Sequence, residues 1–199
     1  MIKSEAFARI CFFGDHQDYL NLPVISGTID RKITLTATPN SEDKYILHLL
    51  DLDSVIAINI NENFNNIEAE DYFRSSLSIL QQAGLVFEQG YTVEITGNIP
   101  VNAGVSSSSA LVVAWIRFLV QAQKTPVAVS SIQIGQWAYA AEVGFFNQPG
   151  GMMDQYTIAQ EGLLYIDTQT GSTSRLKPHL GQLVVAESGI AKETLTVLH

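Results

Sequence analysis

Apolar positions along the first third of the chain come in short runs rather than at helical intervals. Residues 6–13, 32–38, 44–50 and 54–60 are rich in Ile, Leu, Val, Phe and Thr and are separated by Gly, Pro, Asn and Asp, which predicts strands. The polar stretch NENFNN interrupts them. In IEAEDYFRSSLSILQQAG the spacing changes: Phe73, Leu77 and Leu80 recur as on one face of a helix, and Gly84 suits its C-terminal stop. YTVEITG, residues 91–97, alternates as a strand should. Leu111, Trp115, Phe118, Leu119 and Ala122 line one face of a second helix ending near Pro126. Ser130 or Ser131 caps a third, which carries Ile134, Trp137, Ala138 and Ala141. GLLYIDTQTG (162–171) and GQLVVAESG (181–189) read as two last strands. Strands and helices mix without strict alternation, so the predicted class is α+β.

Composition sharpens this picture in three places. With 199 residues, 46% hydrophobic and 16% charged, the chain can bury a proper core as one compact domain, or as a domain and part of another. The opening MIKSEAFARICFF lacks the charged head and unbroken apolar middle of a secretory leader, and no apolar run is long enough to span a bilayer, so a membrane partner is not expected. A single cysteine, Cys11, excludes an internal disulfide and fits a reducing, cytoplasmic location. A net charge of −9, with 11 scattered Lys and Arg, argues against nucleic-acid binding. Phosphate would have to be held locally, by backbone dipoles and a metal.

Three stretches carry candidate chemistry. PVNAGVSSSSALVVAW, residues 100–115, leads a glycine-containing turn and four serines into a helix. Free N–H groups at such a helix start, together with the helix dipole, bind phosphate without net positive charge. Small residues at Ala103, Gly104 and Ser106 to Ser109 permit close approach, and a serine hydroxyl can reach magnesium. A bland reading makes one serine an N-cap and the others incidental. No Gly-Lys-Ser/Thr follows, so this is not a Walker A loop. The second stretch, ARICFFGDHQDYLNLPV, exposes Asp15, His16 and Asp18 beyond Gly14, a cluster able to bind several sugar hydroxyls or simply a solvated turn. Arg9 lies inside its strand pattern, where a charge needs a partner or a site. The third, AAEVGFFNQPGGMMDQY, brings Glu142 near a helix end and Asp154 after Gly150 and Gly151. Asp154 could be an N-cap, or could accept a proton from an attacking hydroxyl while Glu142 holds magnesium.

At these three places the sequence resembles the GHMP small-molecule kinases, their galactokinase branch most closely. The family's phosphate motif P-x-G-x-G-L-S-S-S-A aligns with Pro100, Asn102, Gly104, Val105 and Ser106 to Ser109. RICFFGDHQDY, residues 9–19, matches R-V-N-L-I-G-E-H-T-D-Y without a gap, and Glu142 and Asp154 stand at the separation of the A-E and G-I-M-D-Q motifs. The resemblance implies a mixed sheet with helices packed on it, built like domain 2 of ribosomal protein S5. The whole of 1–199 would form the N-terminal, ATP-phosphate- and substrate-binding domain of a two-lobed enzyme whose C-terminal domain lies outside this chain.

By the same resemblance, Asp154 is the catalytic base and Arg9 the residue that keeps it ionised and neutralises the transferred phosphoryl group. Asn102, Ala103, Gly104, Val105, Ser106, Ser107 and Ser108 cradle the ATP phosphates. Ser108 and Glu142 hold Mg2+, and Asp15, His16, Asp18 and Gly151 contact a small-molecule sugar. The implied function is ATP-dependent phosphorylation of a sugar hydroxyl. The alternatives are an inactive sugar/ATP sensor, or a kinase for a heptose, sugar acid or mevalonate-type substrate. Departures fall at Asn102 for glycine, Val105 for leucine, Cys11 for asparagine, Asp15 for glutamate, and in the shortened LNLPV. A lobe without its partner domain leaves apolar surface uncovered, which favours homodimerisation through a strand near 183–187.

Overall fold

The computed structural model describes residues 1–64, 66–100, 103–177 and 181–186. Seven strands form one mixed sheet: β1 (Ile2–Phe13), β2 (Val24–Pro39), β3 (Lys44–Leu49), β4 (Ser54–Asn59), β5 (Tyr91–Gly97), β6 (Leu163–Asp167) and β7 (Ser172–Leu176). They run in the order β4-β3-β5-β2-β6-β7, with β1 also paired to β2. All pairs are antiparallel except β3 with β5. The helices are α1 (Tyr72–Gln82), α2 (Ser107–Gln121), α3 (Ser131–Tyr139), which runs on into a π-helical turn over Ala140–Gly144, and α4 (Met153–Gln160). No helix among the described residues is long and apolar enough to cross a membrane.

Local chemistry explains the helix ends. The Asp71 side chain accepts from the Arg74 N–H at 3.1 Å to start α1, and Gly84, at φ +89°, follows its end. Of the two serines that could cap α3, Ser130 does so, accepting from the Gln133 N–H at 3.1 Å. Helix α2 is buried on nearly all sides rather than one: Val112, Val113 and Ile116 are enclosed as fully as Trp115, Phe118 and Leu119. Trp115 sits at the centre of the core, its ring 5.3 Å from Tyr45, 5.4 Å from Phe73 and 5.2 Å from Phe118, and its indole N–H donates to the Phe73 carbonyl at 3.1 Å.

Several elements differ from the sequence expectation. Strand β2 begins at Val24, eight residues before the predicted run at 32. Its first half contains Gly27, where a side chain would meet Leu163 Cδ1 at 2.9 Å and Phe12 Cε2 at 3.2 Å, so close strand packing replaces the usual β-formers there. Helix α4 was not predicted, because most of its side chains from Met153 to Ala159 are buried and no amphipathic period survives. Strand β7, STSRL, lies at the sheet edge with little apolar content. The predicted strand over 181–189 is absent where described: residues 181–186 are not in a strand, and Val184 is 91% exposed. Its remaining residues, and so part of the proposed dimer contact at 183–187, lie outside the described residues.

Candidate active site

Arg9 enters the core from β1 and is only 7% exposed. Its guanidinium grips Asp154 in α4 with two parallel bonds, Nε to Oδ1 at 2.7 Å and Nη2 to Oδ2 at 2.8 Å. Nη1 donates to the Gly104 carbonyl at 2.9 Å, and the Arg9 backbone N–H to the Val105 carbonyl at 3.3 Å. Burial opposes the Arg9 charge, but the Asp154 carboxylate and its hydrogen bonds more than offset this, and the guanidinium is held above its ordinary value. One arginine thus ties the turn before α2 to the acid at the start of α4.

The serine row divides its labour. Ser106 is the N-cap residue of α2, in the left-handed region at φ +60°, yet its side chain does not cap the helix; the hydroxyl donates to Asp154 Oδ2. One serine of the run thus does occupy the N-cap position, with its hydroxyl turned to Asp154 rather than to the helix. Gly104, also left-handed at φ +73°, lets the chain turn into the start of α2, where Ser106 makes no side-chain capping bond. Ser107 is half-buried, Ser108 exposed at the mouth and Ser109 buried. Val105 is buried in the core and Ala103 half-buried. Asn102 lies outside the described residues.

Glu142 stands on the π-helical turn, 6% exposed. That extra residue is accommodated by the Phe145 N–H reaching back to the Ala140 carbonyl at 2.7 Å. The Glu142 carboxylate accepts from Gln155 Nε2 at 2.7 Å. Burial pushes its pKa up, hydrogen bonds from Gln155, Ser108 and Ser109 work against that, and the charge of Asp154 adds to the rise. Among the described residues no Lys, Arg or His pairs with it.

The GDHQD turn is anchored at one end only. Asp18 Oδ2 accepts from the Met153 N–H at 3.2 Å, which caps α4 from outside, and its carboxylate lies on Gly151, where a Cβ would come within 2.0 Å of it. Burial raises the Asp18 pKa, partly relieved by that hydrogen bond. Asp15 and His16 lie 3.6 Å from one another, Asp15 exposed and His16 half-buried. Asp154 is neither the N-cap of α4, which is Met152, nor a surface group; it lies in the first turn. Arg9, Asp154, Ser106, Gly104 and Val105 therefore meet directly. Glu142, Ser108 and Ser109 form an adjoining cluster, and Asp18 with Gly151 a third.

Three participants escaped the sequence reading. Ser106 acts through its hydroxyl rather than only its amide, Gln155 bridges to Glu142, and Tyr139 donates to the Gly150 carbonyl at 3.5 Å, its phenol pushed up by burial and by the Asp18 charge. Only Gln155 carried a signal, as the residue following Asp154.

A mixed sheet backed by helices thus carries a small-residue turn opening α2 beside an arginine–aspartate pair. The family model for the GHMP kinases N terminal domain matches residues 71–162. Galactokinase of Haemophilus influenzae is 27% identical over 194 residues, covering 94% of this chain and 50% of that protein. Galactokinase of Lactococcus lactis, solved in complex with galactose, superposes with a TM-score of 0.75 at 22% identity, covering 86% of this chain and 46% of that one. Mevalonate kinase of Methanococcus jannaschii superposes with a TM-score of 0.74 at 22% identity, covering 89% and 56%. The chain spans about half the length of the curated relatives it matches.

Proposed function

We propose that this chain is the phosphate- and substrate-binding lobe of an ATP-dependent sugar kinase of the galactokinase type. The observation that carries the reading is the two-bond Arg9–Asp154 pair set beside the start of α2, whose N-cap side chain is turned to Asp154 instead of the helix. Phosphoryl transfer asks a protein for positioning, charge neutralisation and an oriented nucleophile. The first-turn amides of α2 hold the nucleotide phosphates, and Arg9 balances negative charge next to them. Asp154, fixed by Arg9 and Ser106, orients the acceptor hydroxyl and takes its proton at a carboxylate oxygen. Asp18, held over Gly151, faces the same acceptor.

Magnesium takes oxygen donors, one or two of them carboxylates, and completes its shell with waters and substrate phosphates. Glu142, buried without a cationic partner among the described residues, and the Ser108 hydroxyl fit that donor set. Bound there, the ion would supply neutralisation of the phosphate oxygens.

The test is ADP release from Mg-ATP by the intact protein across galactose, related hexoses, uronic acids, heptoses and mevalonate. Asp154→Asn is the control. Turnover on one sugar that falls by ~100-fold or more in the variant is expected. ATP binding without turnover on any acceptor would overturn the kinase reading in favour of a sensor, and turnover on mevalonate alone would overturn the sugar.

A further inference from the structure

Gln155 follows Asp154 on α4, is 2% exposed, and points its amide at the second acid of the site. Nε2 donates to Glu142 Oε2 at 2.7 Å and lies 3.5 Å from Ser109 Oγ, while Oε1 is buried without a hydrogen-bond partner among the described residues. A buried amide oxygen left without a donor lowers stability, so packing alone does not explain a glutamine here. The contrast with its neighbour is informative. Asp154 is met by a cation, Arg9; Glu142 is met by a neutral amide. An arginine or lysine at 155 would fix Glu142 equally well but would cancel its charge and repel a second cation. An amide restrains the carboxylate and leaves its charge in place.

We propose that Gln155 is the positioning residue for Glu142, holding that carboxylate in the orientation that receives a divalent cation and coupling it through α4 to Asp154. The inference rests on the reading of Glu142 as a cation ligand. Partners that orient metal ligands from behind typically carry a tenfold to hundredfold effect on metal affinity.

The experiment measures binding of Mn2+ by electron paramagnetic resonance, with the intact protein and a non-hydrolysable ATP analogue, alongside melting temperature with and without Mn2+. In Gln155→Met, which keeps the volume and loses the donor, Mn2+ affinity is expected to fall about tenfold or more. In Gln155→Glu, a second carboxylate faces Glu142; the melting temperature without metal should fall, and Mn2+ should restore it. If both variants melt lower but bind Mn2+ within twofold of the wild type, Gln155 is structural and the inference fails while the reading of Glu142 stands. A wild-type protein that binds no Mn2+ with the analogue removes both.

Discussion

Arg9 and Asp154 are 145 residues apart in sequence and face each other through two hydrogen bonds of 2.7 and 2.8 Å. The pair closes β1 onto α4 across the turn that opens α2, so it is a structural clamp as well as a proposed catalytic unit. Lysine cannot reproduce the two-pronged contact. Arg9→Lys is therefore expected to cost ~100-fold or more in kcat/KM in the ADP-release assay. Chemical denaturation should show a loss of about 2 kcal/mol, less than for a fully buried pair because the Asp154 side chain is 26% exposed. Unchanged turnover with lowered stability would leave only the clamp.

Ser106 offers a sharper separation of backbone and hydroxyl. Its φ of +60° suits glycine, and its side chain serves Asp154. Ser106→Gly and Ser106→Ala both lose the hydroxyl, and both should lower kcat by about tenfold, the scale of one hydrogen bond to a charged group. Only alanine keeps the left-handed strain, so the glycine variant should be more stable than the alanine variant by ~1 kcal/mol in thermal melts. Equal stabilities would contradict the backbone assignment.

Gly151→Ala should act on the acceptor rather than the nucleotide. The new Cβ would sit 2.0 Å from Asp18 Oδ2 and 2.7 Å from Asp18 Cβ, so the whole residue must shift and release the Met153 N–H. A displacement of about 1 Å can cost up to ~100-fold. The expected result is a rise in the acceptor KM of about tenfold or more with the KM for ATP within twofold; a matching rise in both would refute it.

Cys11 supplies the pH dependence. Burial, then the charge of Asp15, pushes its thiol up to about 11 from an ordinary 9.0. The folded chain thus keeps this proton longer than the unfolded chain does, and the contribution to stability falls as pH rises from about 9 to about 11. Alkylation by iodoacetamide should be slow near neutral pH and rise with a midpoint near 11, shifting lower in Asp15→Asn. A midpoint at the ordinary thiol value would show that neither cause operates.

Where the sequence was readable, a single physical signal dominated. Phe73, Leu77 and Leu80 do face the core from α1, and Asp71 and Gly84 mark its ends. The short apolar runs of β3 and β4 and the alternating β5 appear close to their predicted limits. Helix α4 was hidden because burial on most sides erases periodicity, and β7 because an edge strand needs little apolar content. Within the site, the motif spacing pointed to Arg9, Glu142 and Asp154, whereas the hydroxyl of Ser106 and the amide of Gln155 gain their partners only from tertiary contacts. The serine row looked like capping chemistry; a left-handed N-cap residue redirected it.

The half-anchored turn from Gly14 to Asp18 has a consequence for redesign. Asp18 is locked to α4, whereas the exposed Asp15 pairs with a half-buried His16. On the proposed reading, substitutions at 15 and 16 would alter the acceptor side and leave the hydrogen bonds between Arg9 and Asp154 in place. Substitutions at 18 or 151 also disturb the start of α4, through the bond from the Met153 N–H to Asp18. The molecule carries an adjustable dial next to a fixed gear.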